Sequence, residues 1–281
     1  MILKAEVTKF ARTLDVDPNT IERDYVISWF LSGIYADAVL AEALVFKGGT
    51  ALRKVYFPNY RFSEDLDFTV AISSEQLTKE ILYERLQNVA RSVSALSGIS
   101  FSLVSFERTR DVLGEEAFAS KVAYVGPMQN RSSSPPRIKL DITFYEDVIF
   151  PTNKLSLIHG YSDEYMCARE IRVYALEEIV AEKLRSILQR NRPRDIYDLW
   201  SLLCKNTHEI NLCELVRGFY KKCEHKKVAF TGINDFFTPE RLDSHANAWE
   251  KTLCHQLAEL PNFKDVINDL KTKIVELFDL K

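Results

Sequence analysis

Apolar and polar positions follow two different periods along this chain. A mixed half, in which helical spacing and two-residue alternation take turns, gives way to an almost wholly helical half, with the boundary between about 150 and 175. Asp17-Pro18-Asn19-Thr20 reads as a helix start, with a cap at Asp17 and proline at the first helical position. About twenty helical residues should follow, carrying Ile21, Tyr25, Ile27, Leu31 and Ile34. The short apolar run 43–46 suits a buried strand, which Gly48-Gly49 ends, and 50–56 reads as a short helix. The pattern then predicts a strand over 66–71, an amphipathic helix over 75–96, and strands over 99–106, 118–125 and 137–144. Residues 126–136, Gly-Pro-Met-Gln-Asn-Arg-Ser-Ser-Ser-Pro-Pro, form a loop too long for a tight hairpin. From Ala175 the spacing is helical, with breaks at Pro193, Thr231-Gly232 and Pro261. The expected fold class is α/β (α+β): a mixed sheet in a domain spanning 1–165, then a helical domain spanning 166–281.

The alternating segments place polar groups in a telling way. On a strand, residues two apart face the same side, so Asp65 and Asp67 project together while Leu66, Phe68 and Val70 enter the core. Two carboxylates held this close repel each other unless a cation lies between them, and a divalent metal answers that need. In Arg137-Ile-Lys-Leu-Asp-Ile-Thr-Phe144, the positions Lys139, Asp141 and Thr143 share the polar face. Laid beside the first strand, this one would add Asp141 as a third carboxylate, enough for a two-magnesium site for phosphoryl transfer. Gly48 and Gly49 would let backbone N–H groups approach phosphate oxygens at the start of a helix, and Thr50 and Ser63 would add hydroxyls. Alone, Gly-Gly is a turn and Asp-x-Asp a solvated strand face; the P-loop pattern is absent.

The helix over 176–190 holds a second clue. Leu176, Ile179, Val180, Leu184, Ile187 and Leu188 form its apolar stripe, and Lys183 falls within that stripe. Such a lysine either snorkels outward or meets a buried anion; beside the carboxylate motif, nucleotide phosphates are the anion of choice. By the same count Arg185 lies on the opposite face. Pro193 would open the next helix, putting Asp195 in its first turn and Asp198 one turn from Arg194.

Composition narrows the setting. The chain has 281 residues, 46% hydrophobic and 27% charged, which is ordinary globular usage with room for a sizeable core. No apolar run is long enough to span a membrane, and the start has no signal-peptide pattern. Five scattered cysteines with no Cys-x-x-Cys read as reduced thiols in the cytoplasm. Net charge is −3, so any polyanion-binding face must be local. Two runs qualify, 183–194 and 221–227, each of which is either a phosphate-binding face or a solvated helix surface.

"KGGTALRK", "RFSEDLDF", "KLDIT" and "LEEIVAEKLRSILQRNRPRDIYDLW" together resemble the AbiEii/AbiGii family of nucleotidyltransferase-like toxins, within the polymerase-β-type superfamily. The resemblance implies a nucleotidyltransferase core with a helical C-terminal part. Asp65, Asp67 and Asp141 would then hold magnesium, two ions in all, and an NTP would be the substrate. Phosphates would lie on Gly48, Gly49, Thr50, Ser63 and Lys183, with Asp195 and, more weakly, Asp198 near the reaction. A role in a type IV toxin–antitoxin or phage abortive-infection system is implied, with a separate winged-helix antitoxin and RNA, such as tRNA, as acceptor. A small-molecule acceptor and a non-catalytic nucleotide- or antitoxin-binding module are the competing expectations.

Overall fold

The computed structural model describes residues 1–72, 76–110 and 114–279. The chain divides into two compact units, Met1–Glu146 with Thr152–Val173, and Asp147–Pro151 with Tyr174–Lys281.

The first unit carries α1 (Lys4–Leu14), α2 (Pro18–Ala36), α3 (Ala38–Ala43), β1 (Leu44–Lys47), α4 (Gly48–Ala51), β2 (Asp65–Val70) and α5 (Lys79–Ser97). It continues with β3 (Ser100–Arg110), β4 (Glu116–Val125), β5 (Arg137–Thr143), β6 (Asn153–Ser156), α6 (Glu164–Cys167) and β7 (Glu170–Val173). The strands form one seven-stranded mixed sheet in the order β3-β4-β5-β2-β1-β7-β6. Helix α2 starts as its sequence dictates, with Pro18 at its first position and the Asp17 carboxylate accepting from the Asn19 N–H at 2.7 Å. Its apolar residues reach almost all round, and Tyr25, Val26, Ile27, Phe30, Leu31 and Ile34 are fully buried, so it is a core helix. The amphipathic helix expected to begin at 75 starts, within the described residues, at Lys79 behind a Thr78 cap and stops at left-handed Gly98; position 75 lies outside the described residues.

The helix expected over 50–56 begins two residues earlier, at Gly48, and passes into a π-helical turn over Leu52–Tyr56. Strand β7 has no counterpart in the sequence pattern, yet it pairs with β1 in parallel through Phe46 and Val173. At four residues it is too short for alternation to show.

The second unit holds α7 (Leu176–Gln189), α8 (Pro193–Trp200), α9 (Leu212–His225), α10 (Pro239–Leu253) and α11 (Phe263–Asp279). Phe219, Phe230, Phe236 and Phe278 form its aromatic centre, with ring centroids 4.9–6.0 Å apart. Residues 147–151 belong here because polar groups of α7 and α9 hold them. Glu178 accepts from the N–H groups of Ile149 and Phe150, both at 2.8 Å. Lys222 pairs with Glu178 at 2.5 Å and donates to the Asp147 carbonyl at 2.5 Å. Gly218 completes the fit, since a Cβ there would stand 2.5 Å from the Phe150 ring.

Candidate functional site

The two alternating strands lie side by side. β2 and β5 pair in parallel, with Asp67 opposite Asp141 and Asp65 opposite Lys139. Asp65, Asp67 and Asp141 are half-buried, while Leu66, Phe68, Ile138, Leu140 and Ile142 are buried on the other face. The sheet therefore brings the three expected carboxylates onto one surface. Lys139 shares it and hydrogen-bonds Asp141. Burial would lower the Lys139 pKa, but that bond and the charges of Asp141, Asp65 and Asp67 outweigh it and raise it. The ammonium thus feels all three carboxylates. Among the described residues no three His, Cys, Asp or Glu side chains are gathered into a ready-made metal cluster. The donors present, carboxylate oxygens on one face, are those magnesium prefers.

The glycine turn abuts this surface, and its glycines answer to particular side chains. Gly48 has φ +79°, and a Cβ there would stand 2.5 Å from Asp67 Oδ2. A Cβ at Gly49 would stand 2.5 Å from Arg61 Nη2 and 3.3 Å from Ser63 Oγ. So the paired glycines admit a carboxylate at the first position, and a guanidinium and a hydroxyl at the second. Buried Thr50 donates its hydroxyl to the Asp65 carbonyl at 2.5 Å, tying the turn to β2. Lys47 stands opposite Asp67 across the antiparallel β1–β2 pair.

Behind the turn, Asp24 takes two cations, Arg53 Nε at 2.7 Å and Lys54 Nζ at 2.6 Å, and accepts from Tyr161 Oη at 2.8 Å. Burial would raise the Asp24 pKa, but Arg53 and Lys54 hold it well below the carboxylate range. Arg23 of α2 pairs with Glu64 at 2.6 Å, next to Asp65 in sequence. Sequence reasoning passed over Arg53, Lys54 and Arg61. For the first two the available signal was a pair of charges within a helical segment whose other positions are apolar.

In the second unit, Lys183 meets a buried anion as its stripe position requires, and the anions are the chain's own carboxylates. Its Nζ lies 3.0 Å from Asp195 Oδ1 and 2.5 Å from Asp198 Oδ2. Arg190 Nε reaches Asp195 at 3.0 Å. Burial would raise the Asp195 pKa, but Lys183 and Arg190 lower it. Pro193 does open α8, with Asp195 in the first turn. Asp198, expected to pair with Arg194, instead pairs with Lys183, because it points inward and is fully buried. Arg185, expected on an outer face, is also buried, and bonds Gln189 at 2.6 Å. The two basic runs are therefore not continuous surfaces: Lys183 and Arg185 are buried in the first, Lys222 and Lys226 in the second.

A mixed sheet with alternating carboxylates beside a glycine turn, followed by helices, is the architecture of a nucleotidyltransferase toxin. The fold matches the nucleotidyltransferase toxin MenT4 of Mycobacterium tuberculosis with a TM-score of 0.64 at 20% identity, over 100% of this chain and 91% of that one. A nucleotidyltransferase-like antigenic protein of Paracoccidioides brasiliensis aligns with a TM-score of 0.40 at 17% identity, over 77% of this chain and 97% of that one. No curated protein matches. The family model described as "Nucleotidyl transferase AbiEii toxin, Type IV TA system" matches residues 29–269, and the chain belongs to that family. Among the described residues, no helix is long and apolar enough to cross a membrane.

Proposed function

We propose that the chain transfers a nucleoside monophosphate from an NTP to an RNA acceptor, with tRNA the foremost candidate, as the toxin of a cytoplasmic toxin–antitoxin pair. The observation that carries the reading is the register of Asp67 with Asp141, with Gly48 packed against Asp67. Asp65, Asp67 and Asp141 would hold two magnesium ions, which supply charge neutralisation on the transferring phosphate when bound. Gly48, Gly49, Thr50 and Ser63 seat the phosphates on backbone N–H and hydroxyl groups. Asp141 is the carboxylate assigned to take the proton from the acceptor hydroxyl, once its bond to Lys139 is given up.

Lys183 and Asp195 enter the proposal on the family resemblance alone: Lys183 as a cation for developing phosphate charge, Asp195 as the group that keeps it charged and oriented. The RNA acceptor likewise rests on family kinship and not on a continuous basic face. A winged-helix antitoxin encoded nearby is the proposed partner, and abortive infection of phage the proposed setting.

Incubating the protein with each labelled NTP, magnesium and total RNA tests this. Label in RNA supports the reading. Label in a small molecule instead replaces the acceptor, and bound but unconsumed NTP removes the transfer step.

A further inference from the structure

We propose that Arg61 is a phosphate-binding residue, its guanidinium gripping the triphosphate that the Gly48–Thr50 turn seats. The proposal rests on the nucleotide-transfer reading above and adds a residue to it.

The first observation is where the guanidinium lies. Nη2 occupies the place a Cβ of Gly49 would enter, and Ser63 Oγ converges on the same point. Nη1 donates to the Phe62 carbonyl at 3.2 Å, so the fork is anchored on one side and presses on the turn with the other. Arg53 steadies the segment by lying over the Phe62 ring at 3.6 Å and donating to the Tyr60 carbonyl. A planar fork held this way suits two oxygens of one phosphate, which a lysine could meet only as a point charge.

The second observation is the charge balance. Among the described residues of the first unit, four buried side chains are cations, Lys47, Arg53, Lys54 and Arg61, and two are carboxylates, Glu22 and Asp24. Arg53 and Lys54 are both committed to Asp24. Glu22 is displaced toward its neutral form by burial, which outweighs the Met128 N–H it accepts. An interior this rich in positive charge beside a backbone turn is laid out for an anion, and Arg61, 3% exposed, is the cation nearest Gly49.

The test compares the full-length wild-type protein with Arg61→Met, Arg61→Lys and Gly49→Ala. Calorimetry with inorganic tripolyphosphate gives Kd, and circular dichroism and Tm report folding. Arg61→Met should weaken tripolyphosphate about tenfold or more, and Arg61→Lys should recover part of the loss. Gly49→Ala keeps every charge but pushes the fork aside, so it should also weaken binding. A folded Arg61→Met variant that binds tripolyphosphate within about twofold of wild type overturns the proposal. If Arg61→Met does not fold, wild-type-like Kd values for both Arg61→Lys and Gly49→Ala overturn it instead. Wild-type protein that transfers nucleotide but binds no tripolyphosphate overturns the Arg61 assignment and leaves the function standing. Protein that transfers nothing, yet loses tripolyphosphate affinity on Arg61→Met, upholds Arg61 and rejects the transfer reaction.

Discussion

Asp67 stands opposite Asp141 in the parallel β2–β5 pair, so two acids far apart in sequence share one face of the sheet. Asp65 lies two residues along the same face of β2 and Lys139 two residues before Asp141, so the surface carries three carboxylates and one ammonium. Its chemistry depends on which cation answers the carboxylates.

Asp65→Ala and Asp67→Ala should each abolish nucleotide transfer while the protein stays folded. Both residues are half-buried on a polar face and neither fills the core, so their loss removes charge and not packing. Each substitution should cost several kcal/mol of transition-state stabilisation. Labelling of RNA, followed alongside Tm, checks this; near-wild-type labelling in both variants rejects the metal assignment.

Asp141→Asn keeps the strand register and shape but removes the charge. Turnover should fall by about two orders of magnitude while NTP affinity survives. Loss of affinity with unchanged turnover of the bound fraction would make Asp141 a structural acid.

Lys139→Met should strengthen divalent-cation binding. Its ammonium is held by Asp141 and charged by all three acids, so it competes for the surface a metal would use. The readout is manganese affinity by calorimetry in the absence of NTP. Weaker or unchanged binding would show that the ammonium and the metal do not compete.

Lys183→Met should be strongly destabilising, because Asp195 and Asp198 would lose their shared cation while buried. Breaking a buried pair on one side costs about 3–5 kcal/mol. Adding Asp198→Asn should recover part of the loss, since Asp195 keeps Arg190. Urea denaturation of the single and double variants decides it; a Lys183→Met protein as stable as wild type refutes the structural role.

Glu22→Gln should stabilise the protein at pH 7 and have less effect near pH 4. Burial raises the Glu22 pKa in the folded state, so the folded protein holds a proton that the unfolded chain releases as pH rises through the ordinary value. Stability is lost across that window and stays lost at neutral pH. The amide oxygen can still accept from the Met128 N–H, now at 2.6 Å. A Tm difference that is the same at both pH values would contradict this.

The carboxylate strands were legible because alternation is a local signal: Leu66 and Phe68 alternate with Asp65 and Asp67, and Ile138, Leu140 and Ile142 with Lys139 and Asp141. The lysine in the apolar stripe was legible for the same reason, though not its partners, since Asp198 could be assigned only by spacing along one helix and the structure turns it inward. Glycine at 48 and 49 announced a turn but not its occupants. Asp67 and Arg61 reach those positions through tertiary packing, which no local period encodes. Segments 147–151 and 170–173 were opaque for a related reason. The first is held by Glu178 and Lys222 from another part of the chain, and the second is too short to show a period.

The placement of residues 147–151 has a consequence for inheritance. The backbone leaves the sheet-bearing unit after Glu146, returns at Thr152 and leaves again after Val173, so neither unit is one uninterrupted stretch of gene. Recombination at a single point between relatives would hand the helical unit a foreign 147–151, with the wrong partner for the notch at Gly218 and the wrong backbone for Glu178. The two units are therefore expected to descend together, with changes at Phe150 answered by changes at Gly218.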